Sequence, residues 1–263
     1  MTTVYFLFLF HSSLGLMAAL LLVPDRAGDK FFKLCSATAT LLTTAGLGLL
    51  YRRHGLDAPT GPIATSSYQP MLAATLAFLL FAVLYNRAWH FDWAPVRRPL
   101  LLAATAAGIA ASVLTAPGPI FAVAGLSSAL LLGAAASAMI LGHYYLVVLD
   151  LPIAALRRLT VLLIAALILR SLVVGFVLAG PAGYAYEEAG LIAHGLWSAD
   201  GIFVWMRLLF GLAGPLSLSW FIWKTVEIRS TQSATGILYV QLFLVLAGEL
   251  LATYLRVAVG FPL

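Results

Sequence analysis

Charge is the scarcest property of this chain. Only 10% of its 263 residues are Asp, Glu, Lys or Arg, against about a quarter in soluble domains, and 62% are apolar. A water-exposed surface cannot be assembled from that composition, which excludes a soluble enzyme or binding module as the main body of the protein. Cysteine is nearly absent. Cys35 stands alone, so this chain builds neither an internal disulfide nor a thiolate metal cluster. The first 24 residues lack a basic leading segment and a clear small-residue cleavage site, and they are expected to be a first span rather than a removable signal peptide. No lysine sits in the middle of an apolar run, since Lys33 and Lys224 lie near run ends, and a retinal Schiff base is thereby removed. Phosphate-binding loops, GxSxG and HExxH motifs are also missing from any usable context.

What the chain does have is a series of apolar runs, each near the roughly 20 residues needed to cross a bilayer. Inside a bilayer every backbone group must be satisfied within the segment, so runs of this length predict helices rather than barrel strands. Eight are predicted, at 3–23, 31–51, 70–89, 100–115, 120–148, 159–178, 201–223 and 235–259, the fourth being the shortest. The fold class expected is an all-α integral membrane bundle of about eight transmembrane helices, forming one polytopic domain over 1–263. Pro24, Pro59, Pro62, Pro70, Pro95, Pro99, Pro117, Pro119, Pro152 and Pro181 are placed in or beside connections. Pro215 alone falls inside a span and predicts a kink in the seventh helix. No internal repeat is obvious, although two four-helix halves are compatible with the count.

Basic residues set the expected orientation. Of the 15, ten follow odd-numbered spans (Arg26, Lys30, Lys33, Arg87, Arg97, Arg98, Arg157, Arg158, Lys224 and Arg229), three fall on the other side (Arg52, Arg53 and Arg256), and Arg170 and Arg207 lie within spans. This bias puts the odd connections in the cytoplasm and both termini outside. It also accounts for the net charge of +5 without any nucleic-acid partner. The expected setting is a bacterial inner (cytoplasmic) membrane, with the lipid bilayer and other subunits of a membrane complex as partners. The outer connection 180–200 carries Glu187, Glu188 and Asp200; docking of a basic cytochrome there is weighed against an ordinary solvated loop, and the loop is preferred.

Ionisable residues inside spans cost roughly 2.5–3.5 kcal/mol each on insertion scales, so each one points to function. They are His11, His143, Arg170, Arg207 and Glu249, with Gln241 as a neutral companion. At 1.5 Å rise per residue, His11, Arg170 and Glu249 fall slightly short of halfway from the outer face, Arg207 about two turns in, and His143 near the cytoplasmic face. His11, Glu249, Arg170 and Arg207 therefore form a predicted outer-half cluster suited to proton and quinone chemistry. A buried pair that only fixes packing is the competing reading. Glu249, Thr253 and Arg256 recur at i, i+4 and i+7 and predict a polar stripe running outward along one helix face.

Haem b needs two imidazoles at one depth. His11 with His143 fails that requirement; His143 with His90 meets it, as does His11 with His54 or His194. His143 and His90 are thus the candidate iron ligands, and His143, His90, His11 and Gln241 the candidate cofactor contacts, for haem b or a quinone. Tyr144 and Tyr145 beside His143 read as interfacial aromatics. The small residues 133–138, and Gly211 and Gly214, read as close-packing positions. The segment 229–236, RSTQSATG, reads as a helix cap with a helix N-terminus open to an anion.

Three functions remain, in this order: a quinone-interacting or haem-carrying subunit of a respiratory-type redox complex, a proton-coupled transporter, and a structural subunit. In architecture alone the first resembles the membrane subunits of polysulfide and nitrite reductase complexes. No motif residue carries that likeness, and no family is assigned.

Overall fold

The computed structural model describes residues 1–55, 65–147, 153–179 and 201–263, and among them it contains helices and no strand. Eight helices are long and apolar enough to cross a membrane: α1 (Thr2–Leu20), α2 (Asp29–His54), α3 (Thr65–His90), α4 (Ala94–Leu114), α5 (Pro119–Val147), α6 (Ala154–Ala179), α7 (Gly201–Glu227) and α8 (Thr231–Ala258). The eight predicted spans correspond to these one for one. Glu187, Glu188, Asp200, His194, Pro59, Pro62, Pro152 and Pro181 lie outside the described residues.

Two proline placements are corrected. Pro70 lies inside α3 and Pro99 inside α4, each the sixth residue of its helix, where the missing N–H removes a single bond next to the unpaired N–H groups of the first turn. The fourth helix accordingly starts at Ala94, well before the predicted 100. Pro215 stands at the start of the second part of α7, directly after a five-residue π-helical turn, Leu209–Ala213. A widened turn gives the proline ring room beside the carbonyl four residues back, which a regular helix would not. Ser230 takes the N-cap position of α8, but its hydroxyl donates to Ser233 Oγ at 3.0 Å instead of capping a backbone N–H.

Packing follows the distribution of small residues. α1 and α5 are the most enclosed helices. They cross where neither carries a side chain: a Cβ on Gly15 would lie 1.8 Å from the Ala129 carbonyl oxygen, and one on Gly133 would lie 1.9 Å from the Gly15 carbonyl carbon. Around this crossing α1 packs on α2, α2 on α3, α3 on α4 and α4 back on α1. The same circuit joins α5, α6, α7 and α8. Side-chain bonds tie neighbours together. Ser13 Oγ donates to the Ala39 carbonyl at 2.7 Å, and Asn86 Nδ2 donates to the Lys33 carbonyl at 3.0 Å and to Ser36 Oγ at 2.8 Å.

The perimeter is apolar. Leu41, Leu172 and Phe243 are each about two-thirds exposed, at 68%, 66% and 69%, whereas Arg170, Arg207, Gln241 and Glu249 are buried. Such an inverted distribution is stable against hydrocarbon and not against water. After α8, Gly260 adopts φ +76° and turns the chain back, so that Phe261 and Leu263 are buried against Val174, Val177 and Val204.

Candidate functional site

Three helices each contribute one charged side chain to a single buried group. Arg170 of α6 faces Glu249 of α8 side-on, its Nε donating to Oε1 and its Nη2 to Oε2, both at 3.1 Å. Arg207 of α7 donates from Nη2 to the same Oε1 at 2.5 Å. One carboxylate thus takes a bidentate and a single charge-assisted contact, the geometry in which guanidinium binding is strongest. Arg170 also donates from Nη2 to the Leu263 carbonyl at 2.6 Å and from Nη1 to Ser127 Oγ at 3.4 Å.

Arg207 is less completely partnered. Its Nε and Nη1 are buried and have no hydrogen-bond partner. Nη1 lies at the crossing of α7 and α8, where a Cβ on Gly211 would come within 2.2 Å of it and one on Gly248 within 3.0 Å. Both glycines are needed for the guanidinium to pass between the two backbones. The π-helical turn of α7 begins two residues after Arg207.

His11 does not touch Glu249. Its Nε2 is paired with Ser112 Oγ at 3.2 Å, and across Gly125 it faces Arg256: a Cβ on Gly125 would lie 3.1 Å from His11 Nε2 and 2.9 Å from Arg256 Nη1. His11, Gly125, Ser128, Arg170, Thr253 and Arg256 line a void of about 10 Å³, close to the smallest volume that accepts one water. Arg170 therefore borders both the carboxylate and the void.

Arg256 is a correction. Expected as a charge flanking the outer face, it is instead 5% exposed, donates to the Thr115 carbonyl at 3.4 Å and stands over Phe121. It belongs to the polar group because α8 runs to Ala258 and the chain folds back beyond it. Its signal was the i, i+4, i+7 stripe, whose members Glu249, Thr253 and Arg256 are all buried, with Thr253 Oγ1 donating to the Glu249 carbonyl at 2.8 Å. Among the side chains of the group are three guanidiniums and a single carboxylate, which Arg170 and Arg207 contact and Arg256 does not. Ser112, Ser127 and Ser128 also belong here, and no pattern in the sequence marks them.

The remaining candidates stand apart. Gln241 is buried eight residues before Glu249, about 12 Å along α8; its Nε2 donates to Ser219 Oγ at 3.0 Å and its Oε1 has no partner. His143 is exposed and shares a hydrogen bond of 3.0 Å with the Tyr239 hydroxyl. It lies 18 residues beyond Gly125, about 27 Å along α5, and so away from the charged group. His90 is exposed, with Nδ1 at 2.9 Å from the Asn86 carbonyl. His90 and His143 thus have separate partners, on helices that do not pack along one another, and the structure does not bring them together. Among the described residues no three His, Cys, Asp or Glu side chains cluster as a metal site.

Comparison of the chain with protein-family models, curated proteins and solved structures returns no match.

Proposed function

We propose that the chain is a multi-pass integral membrane protein with both termini on the non-cytoplasmic side. In this reading it is the membrane-embedded subunit of a respiratory-type redox complex in a bacterial inner membrane, and the group formed by Arg170, Arg207, Glu249, Arg256 and His11 moves protons for quinol chemistry. The apolar perimeter and the ten-to-three distribution of basic connections support the placement. The observation that carries the rest is the buried Arg170–Glu249–Arg207 contact with its water-sized void. Apolar residues of similar volume would pack as stably as buried charges do, so retention of the charges argues for use. With about 10 Å³ beside it, the group in this closed form suits proton passage through one water. A quinone ring is too large for that space.

The test separates use from scaffolding. Replacing Arg170, Glu249 and Arg207 together by Met, Leu and Leu removes the three paired charges and leaves Arg256 on its own contacts, the Thr115 carbonyl and the Phe121 ring. Retained assembly with loss of quinol-linked electron transfer supports the reading, and normal turnover refutes it. A reduced-minus-oxidised visible spectrum addresses haem b, and a b-type signature abolished in His143→Ala would assign an iron ligand.

One observation favours a second reading, a proton-coupled transporter. α7 is interrupted by the π-helical turn and Pro215 beside the buried Arg207, as in transporters whose broken helices line the substrate site. Proton-driven solute uptake by the protein reconstituted alone, without redox partners, would establish it.

A further inference from the structure

Two cavities share a wall at the end of the bundle where α1 finishes and α4 and α6 begin. One, of about 420 Å³, is lined by Arg97, Arg98 and Arg158 with Asp25, Tyr85 and Trp89 among its other walls. The second, of about 750 Å³, runs between the end of α1 and the first turns of α6, along Val161, Leu162 and Ala165 and past Arg157 and Arg158. Leu21, Leu22 and Arg158 line both. The two spaces thus adjoin as a cationic chamber and an apolar trough.

The arginines are not equivalent. Arg97 is committed: it pairs with Asp92 and stands over the Trp89 ring at 3.9 Å, and Phe32 stacks on that ring at 4.4 Å. Arg157 stands over Trp223 at 5.3 Å. Arg98 and Arg158 are exposed and have no carboxylate partner among the described residues. Two uncommitted guanidiniums from different helices therefore converge on one chamber, which opens onto hydrocarbon-like walls. Guanidinium is the side chain best matched to phosphate oxygens.

We propose that this composite cavity binds an anionic phospholipid, with its phosphate between Arg98 and Arg158 and an acyl chain along Leu21, Leu22, Val161 and Leu162. The trough distinguishes a lipid from a soluble phosphate, because it continues the cationic chamber along an apolar wall that an acyl chain fills and a free phosphate does not. The guanidiniums distinguish an anionic lipid from a neutral one or from an uncharged quinone ring. Basic pockets between spanning helices at the positively charged side of a membrane protein suit such headgroups. The site is independent of the redox reading, since Arg158 lies twelve residues, about 18 Å along α6, from Arg170.

The test uses purified full-length protein in neutral detergent with phosphatidylglycerol or phosphatidylcholine of matched chains. Lipid retention is read by native mass spectrometry and stability by thermal unfolding. Phosphatidylglycerol should be retained preferentially and should raise the unfolding temperature. Retention should fall about fivefold for Arg98→Gln or Arg158→Gln and about 25-fold for both together. Exposed positions tolerate these changes, so the unfolding temperature without lipid should not move. Arg98→Lys with Arg158→Lys should restore part of the preference, and Arg52→Gln with Arg53→Gln, at the opposite end of the bundle, should have no effect. Equal retention of both lipids overturns the proposal, as does a preference that survives the double Gln variant. Equal stabilisation by inorganic phosphate would make this a soluble-anion site, and displacement of phosphatidylglycerol by a short-tailed ubiquinone would make it a quinone site; either result also overturns it.

Discussion

Gly211 and Gly248 bring α7 and α8 together so closely that a Cβ on Gly248 would lie 2.2 Å from the Gly211 Cα. The Arg207 guanidinium reaches Glu249 past this point. Gly248→Ala should therefore destabilise the protein by about 1–3 kcal/mol through overpacking and displace Arg207 as well. Gly236→Ala, on the same helix with open space around it, should be neutral or slightly stabilising. Thermal unfolding in detergent compares the two, and equal effects would contradict the close crossing.

Glu249→Gln should cost about 3–5 kcal/mol, because it leaves two buried guanidiniums without a counter-charge. Removing Arg170 and Arg207 in the same protein, as Met and Leu, should recover most of that loss. Yield of folded protein and unfolding temperature measure the recovery. If Glu249→Gln alone were as stable as the unchanged protein, the ion pairs would contribute little to folding.

Gly125→Ala should fill the space between His11 and Arg256 at little cost in stability, since the atoms it meets are the ends of side chains. The void of about 10 Å³ would be lost. Under the proposed function, proton-linked turnover falls while assembly stays intact. Unchanged turnover in a folded Gly125→Ala protein would remove the void from the proton path.

Orientation is open to cysteine labelling. Cys35 is buried and free, so it contributes little background. A membrane-impermeant thiol reagent on intact cells should label Glu187→Cys and should reach Arg98→Cys only after permeabilisation. The reverse pattern would invert the topology.

The eight helices were legible because a spanning run must be long, apolar and self-satisfied, three conditions that leave a strong imprint on sequence. The meeting of Arg170, Arg207 and Glu249 was legible too, since depth along a helix can be counted and buried charges seek opposite charge at the same depth. Arg256 is misplaced because a basic residue three positions from the end of a span reads as interfacial, whereas the chain turns back at Gly260 and brings Leu263 to the same void as Arg256. His11 was placed at the right depth but not with its partner, Ser112. A lone serine among apolar residues gives no sign of which neighbour it will meet. The π-helical turn before Pro215 was likewise invisible, although the proline marked the spot.

The most enclosed helix of the bundle is the first to leave the ribosome, and the surface it packs against follows about 120 residues later. At about 5–20 residues per second that interval is roughly 6–24 s. In a membrane-inserted chain, His11 and the groove around Gly15 spend this time without α5 and α8, facing lipid, the insertion machinery or a membrane chaperone. A defect at Gly15 or Gly133 should therefore show first as proteolysis of newly synthesised chains, before any change in the activity of those that mature.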